Sequence, residues 1–308
     1  MFFSSWLRKP NAKPQTNRWA TSTFRPRVEV LEGRDVPSTL AVTNNLDNGS
    51  VGSLRYEVAQ AKKGDTIIFA PSLDGQTITL GGAELDITKS LTIQGPGAGL
   101  LTINGGADDI DNNVGSRVFA VEQKTNVTLS GLTISAGVGR SGFPYYVAAS
   151  AYDYKGGGIL NLGTLTVSGC TISGNYINPA SSASCYGGGI YNAGTLTVTG
   201  STISGNSLDP SADFGSGYGG GIYNAGALAL SNSTVSSNFA RTDGGAIYNV
   251  GTLTVSGCTL SGNSAYSGGG IYNAGTAAAL TVLDCTFSSN RPDNIFGAYI
   301  DDGGNTFN

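Results

Sequence analysis

Histidine is absent from the 308 residues, charged side chains make up only 12% of them, and methionine occurs once. The absence of histidine removes the commonest general base near neutral pH and a favoured zinc ligand. No apolar run reaches the length of about 18 residues that a membrane-crossing helix needs. The four cysteines match no zinc-binding spacing. What basic charge there is lies at the front. Residues 1–37 hold seven Lys/Arg (Arg8, Lys9, Lys13, Arg18, Arg25, Arg27, Arg34) against Glu29, Glu32 and Asp35, a net of +4. With −4 on the whole chain, the remainder carries −8. No aromatic interleaving or amphipathic period accompanies these cations, so neither nucleic acid nor a membrane surface is read as a partner. Residues 1–37 are read as a flexible basic leader or targeting segment. No apolar core follows Met1, so the pattern of an ordinary signal peptide is missing.

What the chain does have is glycine, 47 residues of it without a collagen period, and a phrase repeated five times between Gly156 and Asn290. Its plainest copy runs Gly187-Gly-Gly-Ile-Tyr-Asn-Ala-Gly-Thr-Leu-Thr-Val-Thr-Gly-Ser-Thr-Ile-Ser-Gly-Asn206. From Ile159 to Ile190, Ile222, Ile247 and Ile271 the steps are 31, 32, 25 and 24 residues. Within each copy apolar and polar residues alternate with period two. Leu165 and Val167 point one way while Thr164, Thr166 and Ser168 point the other, and Cys170 and Ile172 continue the inward set. Such alternation, punctuated by Gly and Asn, predicts three short strands per copy and no helix, which excludes helical repeats. A unit this size cannot bury its apolar side alone and must stack on its neighbours. Three strands in constant order predict an all-β parallel β-helix of roughly seven coils.

Two asparagine columns punctuate the coils: Asn161, Asn192, Asn224, Asn249 and Asn273 after the first strand, and Asn175, Asn206, Asn238, Asn263 and Asn290 at the close. Asparagine tolerates the left-handed conformation of a sharp corner, and stacked amides can bond to one another. Ahead of the repeats, Leu40–Asn44 reads as a strand and Ser53–Lys62 as a short helix. Ser53 is its N-cap, Leu54, Val58 and Ala61 form its apolar face, and Lys62 and Lys63 suit its C-terminal dipole. A solenoid must cover its first open core, so this helix is read as a lid. The predicted organisation is 1–37 leader, 38–75 strand and capping helix, and 76–308 solenoid, with the clear repeats at 156–290.

Gly-Gly-Gly-Ile-Tyr-Asn followed by Thr-Leu-Thr-Val-Ser-Gly-Cys-Thr-Ile-Ser-Gly-Asn resembles the repeat of the chlamydial polymorphic outer-membrane proteins, and more widely the bacterial right-handed parallel β-helix repeat proteins. Those repeats carry a Gly-Gly-Ala-Ile element and a Phe-x-x-Asn element. Gly244-Gly-Ala-Ile247 and Phe287-Ser-Ser-Asn290 match them, whereas the other copies have Ile, Val or Leu for Phe. The resemblance implies right-handed coiling and a surface or secreted setting. Arg25-Pro-Arg-Val-Glu-Val-Leu-Glu-Gly-Arg34 resembles the leader of exported planctomycete proteins, which implies an extracellular or envelope location.

Chemistry is sought in four places. Cys170, Cys258 and Cys285 share one inward position with Leu132, Ser201 and Ser233, so they read as buried inert thiols, while Cys185 falls in a connection. Tyr191, Tyr223, Tyr248 and Tyr272 share one outward position below Leu160 and predict a stacked column, either a stabilising ladder or a platform for sugar rings. The connections before the Gly-Gly element shorten along the chain, from 18 residues to 11, 12, 5 and 4, and the long ones are rich in aromatics. Together these give the candidate binding residues Tyr145, Tyr146, Tyr154, Tyr186, Tyr191, Tyr218, Tyr223, Tyr248 and Tyr272. Lastly, lyases and hydrolases of the pectate-lyase-like β-helix type need clustered acids. The best cluster is Asp108, Asp109 and Asp111 with Arg117 nearby, a weak Ca²⁺ candidate that reads more simply as a solvated loop. No catalytic residue and no resident cofactor is assigned. The reading is an exported β-solenoid with a structural, adhesive or carbohydrate-recognition role whose partner is a polysaccharide or a cell-surface protein. A polysaccharide lyase or hydrolase is the alternative.

Overall fold

The computed structural model describes residues 36–81, 83–106, 115–139, 154–177, 184–208, 215–275 and 279–308. The leader up to residue 35 lies outside them, and residues 36–308 form one unit. Among the described residues, three long sheets of ten, eight and nine strands run through this unit. One turn of the coil shows how they arise. The chain passes through Ile190–Asn192 in the eight-stranded sheet, Thr195–Thr199 in the ten-stranded sheet and Thr202–Ser204 in the nine-stranded sheet. It then returns to Ile222–Asn224, one rung further on. Each strand pairs in parallel with its counterparts, so equivalent residues stack: Leu165, Leu196, Leu228, Leu253 and Leu280 form one line. This is a parallel β-helix, with rungs about 4.8 Å apart.

The alternation does what the sequence predicts. Leu165, Val167, Cys170 and Ile172 are buried, as are their equivalents on each repeat rung through Leu280, Val282, Cys285 and Phe287, and the apolar ones join one continuous core. The stack extends beyond the roughly seven coils read from the repeats. Its ten-stranded sheet begins at Thr39–Val42, which pairs with Thr66–Phe69 and through it with Leu91–Gln94. At the other end, Ile300–Asp301 adds a further rung. These end rungs lack the Gly-Gly-Ile-Tyr phrase, which is why the repeat count passes over them. The helix spans Leu54–Gln60 and stops two residues short of the predicted Lys62. There the Lys62 amide turns to the Asp65 carboxylate at 2.8 Å. Ser53 caps its start, accepting from the Tyr56 amide, and Leu54, Val58 and Ala61 are buried against the core.

The corners differ from expectation in one respect. None of the ten column asparagines has a positive φ. At the second corner the left-handed residue is the one before: Gly174, Gly205, Ser237, Gly262 and Ser289, with φ of 62°, 62°, 56°, 63° and 56°. That residue makes the bend, and the asparagine after it turns its amide inward. Asn206 is typical. Its Nδ2 donates to Asn238 Oδ1 on the next rung at 3.0 Å and to the Ile172 carbonyl on the previous rung at 2.9 Å. Its Oδ1 accepts from Nδ2 and the amide N–H of Asn175 at 2.9 and 3.1 Å. Every hydrogen-bonding position of the buried amide is thereby used. The first column is similar, with Nδ2–Oδ1 distances of 2.7, 2.7, 2.7 and 2.9 Å from Asn161 to Asn273.

Candidate functional site

The aromatic column lies on the outer face of the eight-stranded sheet. Because the strands are in register, one outward position repeats as Asp86, Ala120, Leu160, Tyr191, Tyr223, Tyr248, Tyr272 and Phe296. Ring centroids from Tyr191 to Tyr272 are 5.2, 5.3 and 5.1 Å apart with planes within 3°, 10° and 8° of parallel, and Phe296 continues the stack at 4.8 Å. Parallel rings at this separation overlap face to face with an offset. Each inner ring therefore spends both faces on its neighbours, and edges and phenolic hydroxyls are what remain for a ligand. The column is a stacked ladder whose inner rings face one another.

A second tier flanks the first. Tyr186 and Tyr218 occupy the position just before the Gly-Gly element and stack on each other at 5.7 Å. Tyr186 meets Tyr223 edge-on at 5.0 Å, and Tyr218 tilts onto Tyr248 at 5.0 Å. The same position is Lys155 on the rung before and Asp243 on the rung after, followed by Ser267. Lys155 Nζ stands 5.3 Å from the Tyr191 ring centre and 6.0 Å from that of Tyr186, in cation–π geometry. An aromatic strip thus has a cation near its head and a carboxyl group beside its middle.

Burial tunes these groups. It lowers the Lys155 ammonium, helped by the nearby Arg117 charge. It raises the Asp243 carboxyl, against a hydrogen bond from Ser267 that pulls the other way. Burial also pushes Tyr248 up to about 12 and raises Tyr223, with neighbouring tyrosines adding to both. These two phenols are therefore neutral across the ordinary pH range, each able to donate and accept.

The predicted residues divide accordingly. Tyr186, Tyr191, Tyr218, Tyr223, Tyr248 and Tyr272 come together. Tyr154 does not join them, because a φ of 63° sends it against a small separate core of Ile177, Cys185 and Leu208. That core lies between the paired bases of the long connections. Cys185, read as lying in a connection, is part of it and fully buried in the short strand Cys185–Tyr186. Tyr145, Tyr146, Asp108, Asp109 and Asp111 lie outside the described residues. Arg117, read near that acidic cluster, is buried and ion-paired with Glu84. Lys155 and Asp243 were not picked out from the sequence. Aligning the residue before each Gly-Gly element places them in line with Tyr186 and Tyr218.

Cys170, Cys258 and Cys285 are buried in the inward column as read, and all four cysteines are unlinked. A hydrogen bond shared with Cys285, then burial, raises the Cys258 thiol, and burial holds Cys185 up at about 12. Among the described residues no group of three or more His, Cys, Asp or Glu could hold a metal ion, and no helix is long and apolar enough to cross a membrane.

The model of a right-handed β-helix region matches residues 78–308. The chain belongs to the right-handed β-helix family. No curated protein matches it. Among solved structures, this β-helix is similar to Escherichia coli ybhc, at 14% identity over 89% of this chain and 77% of that one, with a TM-score of 0.44. It is also similar to the pectin methylesterase PemA from Erwinia chrysanthemi, at 11% identity over 82% of this chain and 66% of that one, with a TM-score of 0.38. At such scores the likeness carries no argument about activity, and a β-helix serves enzymes and surface proteins alike.

Proposed function

We propose that this right-handed β-helix is an exported recognition module that works at the cell surface or after secretion. It holds an extended polysaccharide along its tyrosine face and does not cleave it. The row of phenols carries the reading. Four hydroxyl-bearing rings repeat once per rung at 5.2, 5.3 and 5.1 Å, and an extended glycan advances by a comparable length per sugar unit. Neutral phenols match sugar hydroxyls, which also donate and accept, while the ring edges suit the C–H surface between them. The leader motif and the repeat resemblance support export and a surface setting.

Catalysis by the perturbed carboxyls is disfavoured by distance. Burial raises both Asp86 and Asp243. They lie five rungs apart, about 24 Å at the usual strand spacing, whereas paired glycosidase carboxyls stand roughly 5–9.5 Å apart.

The test is electrophoresis through gels containing polygalacturonate or neutral glucans, alongside the triple variant Tyr191→Phe/Tyr223→Phe/Tyr248→Phe. Phenylalanine keeps the stack, since Phe296 already occupies this column. Retardation of the native protein that the variant loses supports the reading. Equal retardation of both, or release of unsaturated product or new reducing ends, refutes it, and product would favour the lyase or hydrolase alternative.

A further inference from the structure

Arg117 is the largest fully buried side chain among the described residues. Burying a guanidinium is costly unless its charge and its donors are all met. Here the chain supplies both. Nη1 pairs with the Glu84 carboxylate. Nε donates to the carbonyls of Lys155 and Gly156, each at 3.0 Å, and Nη2 to the carbonyls of Lys155 at 2.7 Å and Gly139 at 3.4 Å. The amide of Tyr154 closes the same circuit onto the Gly139 carbonyl at 2.9 Å. Gly139 and Lys155 stand on either side of the longest connection, so one buried fork grips the chain where that connection leaves the coil and where it returns.

The return point matters most. The residue whose carbonyl takes two of the bonds is Lys155, whose ammonium heads the aromatic strip over Tyr191 and Tyr186. We infer that Arg117, held by Glu84, is a positioning residue that fixes the Lys155 backbone and so seats the Lys155 ammonium at the head of the tyrosine face. Its relevance to ligand binding rests on the recognition role proposed above, but the positioning can be measured without any ligand. The planar fork is needed because its donors run in fixed directions to three carbonyls, which a lysine at position 117 cannot reproduce.

The test uses the full chain with its lysines dimethylated by ¹³C-formaldehyde and the Lys155 signal assigned through Lys155→Arg. Close to two ring faces, the Lys155 methyls are expected upfield of the other lysines. In Arg117→Lys and in Glu84→Gln that displacement is expected to collapse, while the other lysine signals and the β-sheet circular dichroism hold. Where wild type is retarded by a polysaccharide gel, both variants should lose retardation to the extent that Lys155→Ala does. A wild-type Lys155 signal lying with the other lysines, or one that stays displaced in the variants, overturns the inference. Should Arg117→Lys fail to fold, Glu84→Gln decides alone, since it removes the charge that holds the fork while keeping the size and shape of the side chain. If no polysaccharide retards wild type while the displacement collapses as described, the positioning stands and the recognition reading falls.

Discussion

Replacing Asn238 by alanine is the sharpest perturbation of the stack. The side chain is 1% exposed and makes four hydrogen bonds. Nδ2 donates to Asn263 Oδ1 and to the Ile203 carbonyl, and Oδ1 accepts from Nδ2 and the amide N–H of Asn206, all at 3.0 Å. Alanine removes all four. Asn263 Oδ1 keeps the backbone amide of residue 238, also at 3.0 Å, but two buried donors of Asn206 lose their acceptor. Each unsatisfied buried donor costs about 1–3 kcal/mol, so the pair costs roughly 2–6 kcal/mol. A water entering the vacated space would hold the loss near the lower end. Guanidinium unfolding should give that loss, and hydrogen exchange should show amides of the adjacent rungs opening first, because a solenoid is held rung to rung. Thr254→Ala is the control: it is exposed, and Ala229 already holds its register position on the previous rung, so it should stay within about 0.5 kcal/mol. A loss under about 1 kcal/mol for Asn238→Ala would refute the view that the amide ladder holds the coils together.

Two glycines with positive φ should behave oppositely. A Cβ on Gly187 (φ 70°) would lie 2.1 Å from the Ile190 carbonyl oxygen, whereas one on Gly200 (φ 54°) meets nothing within 4 Å. Gly187→Ala is expected to cost at least about 3 kcal/mol, and Gly200→Asn, which copies Asn232 at the same corner, within about 1 kcal/mol; thermal unfolding compares them. The tyrosine ladder should weaken the protein in alkali. With Tyr248 at about 12 in the fold and an ordinary phenol near 10, its contribution is intact below pH ~10 and lost as pH rises toward 12. The Tyr248 phenolate signal, taken as the difference from Tyr248→Phe, should then appear together with unfolding, and its appearance near pH 10 in folded protein would contradict this. At the other extreme, the amides of Ser38 and Lys62 hold the Asp65 carboxyl below its usual value. Its contribution is present at neutral pH and should vanish as pH falls below about 4. Asp65→Asn should flatten that acid limb of the stability curve.

Much of the fold was legible because one phrase is repeated. Period-two alternation identified the inward set, and the constant order of strands within each copy forced it into columns, so Leu165 through Leu280 and both asparagine ladders could be placed from the sequence. What escaped depends on geometry that a repeat does not encode. Composition cannot tell a left-handed asparagine from one following a left-handed glycine, since both put Gly-Asn at a corner. Stacked tyrosines can be read from register, but the occupation of their faces by each other follows from ring separation. Lys155, Asp243 and Arg117 stand outside the repeated phrase, and their roles come from chain segments tens of residues apart. Tyr154 was grouped with the other aromatics by type, while its backbone sends it to a different core.

The most direct test of the central claim is calorimetric titration with oligogalacturonates and cello-oligosaccharides of increasing length. The face from Lys155 to Tyr272 covers four rung steps, about 19 Å. Affinity for one series should climb with each added sugar until the chain spans that length and then level off, with the oligosaccharide recovered intact. No binding by either series, affinity independent of length, or cleaved product would contradict the account.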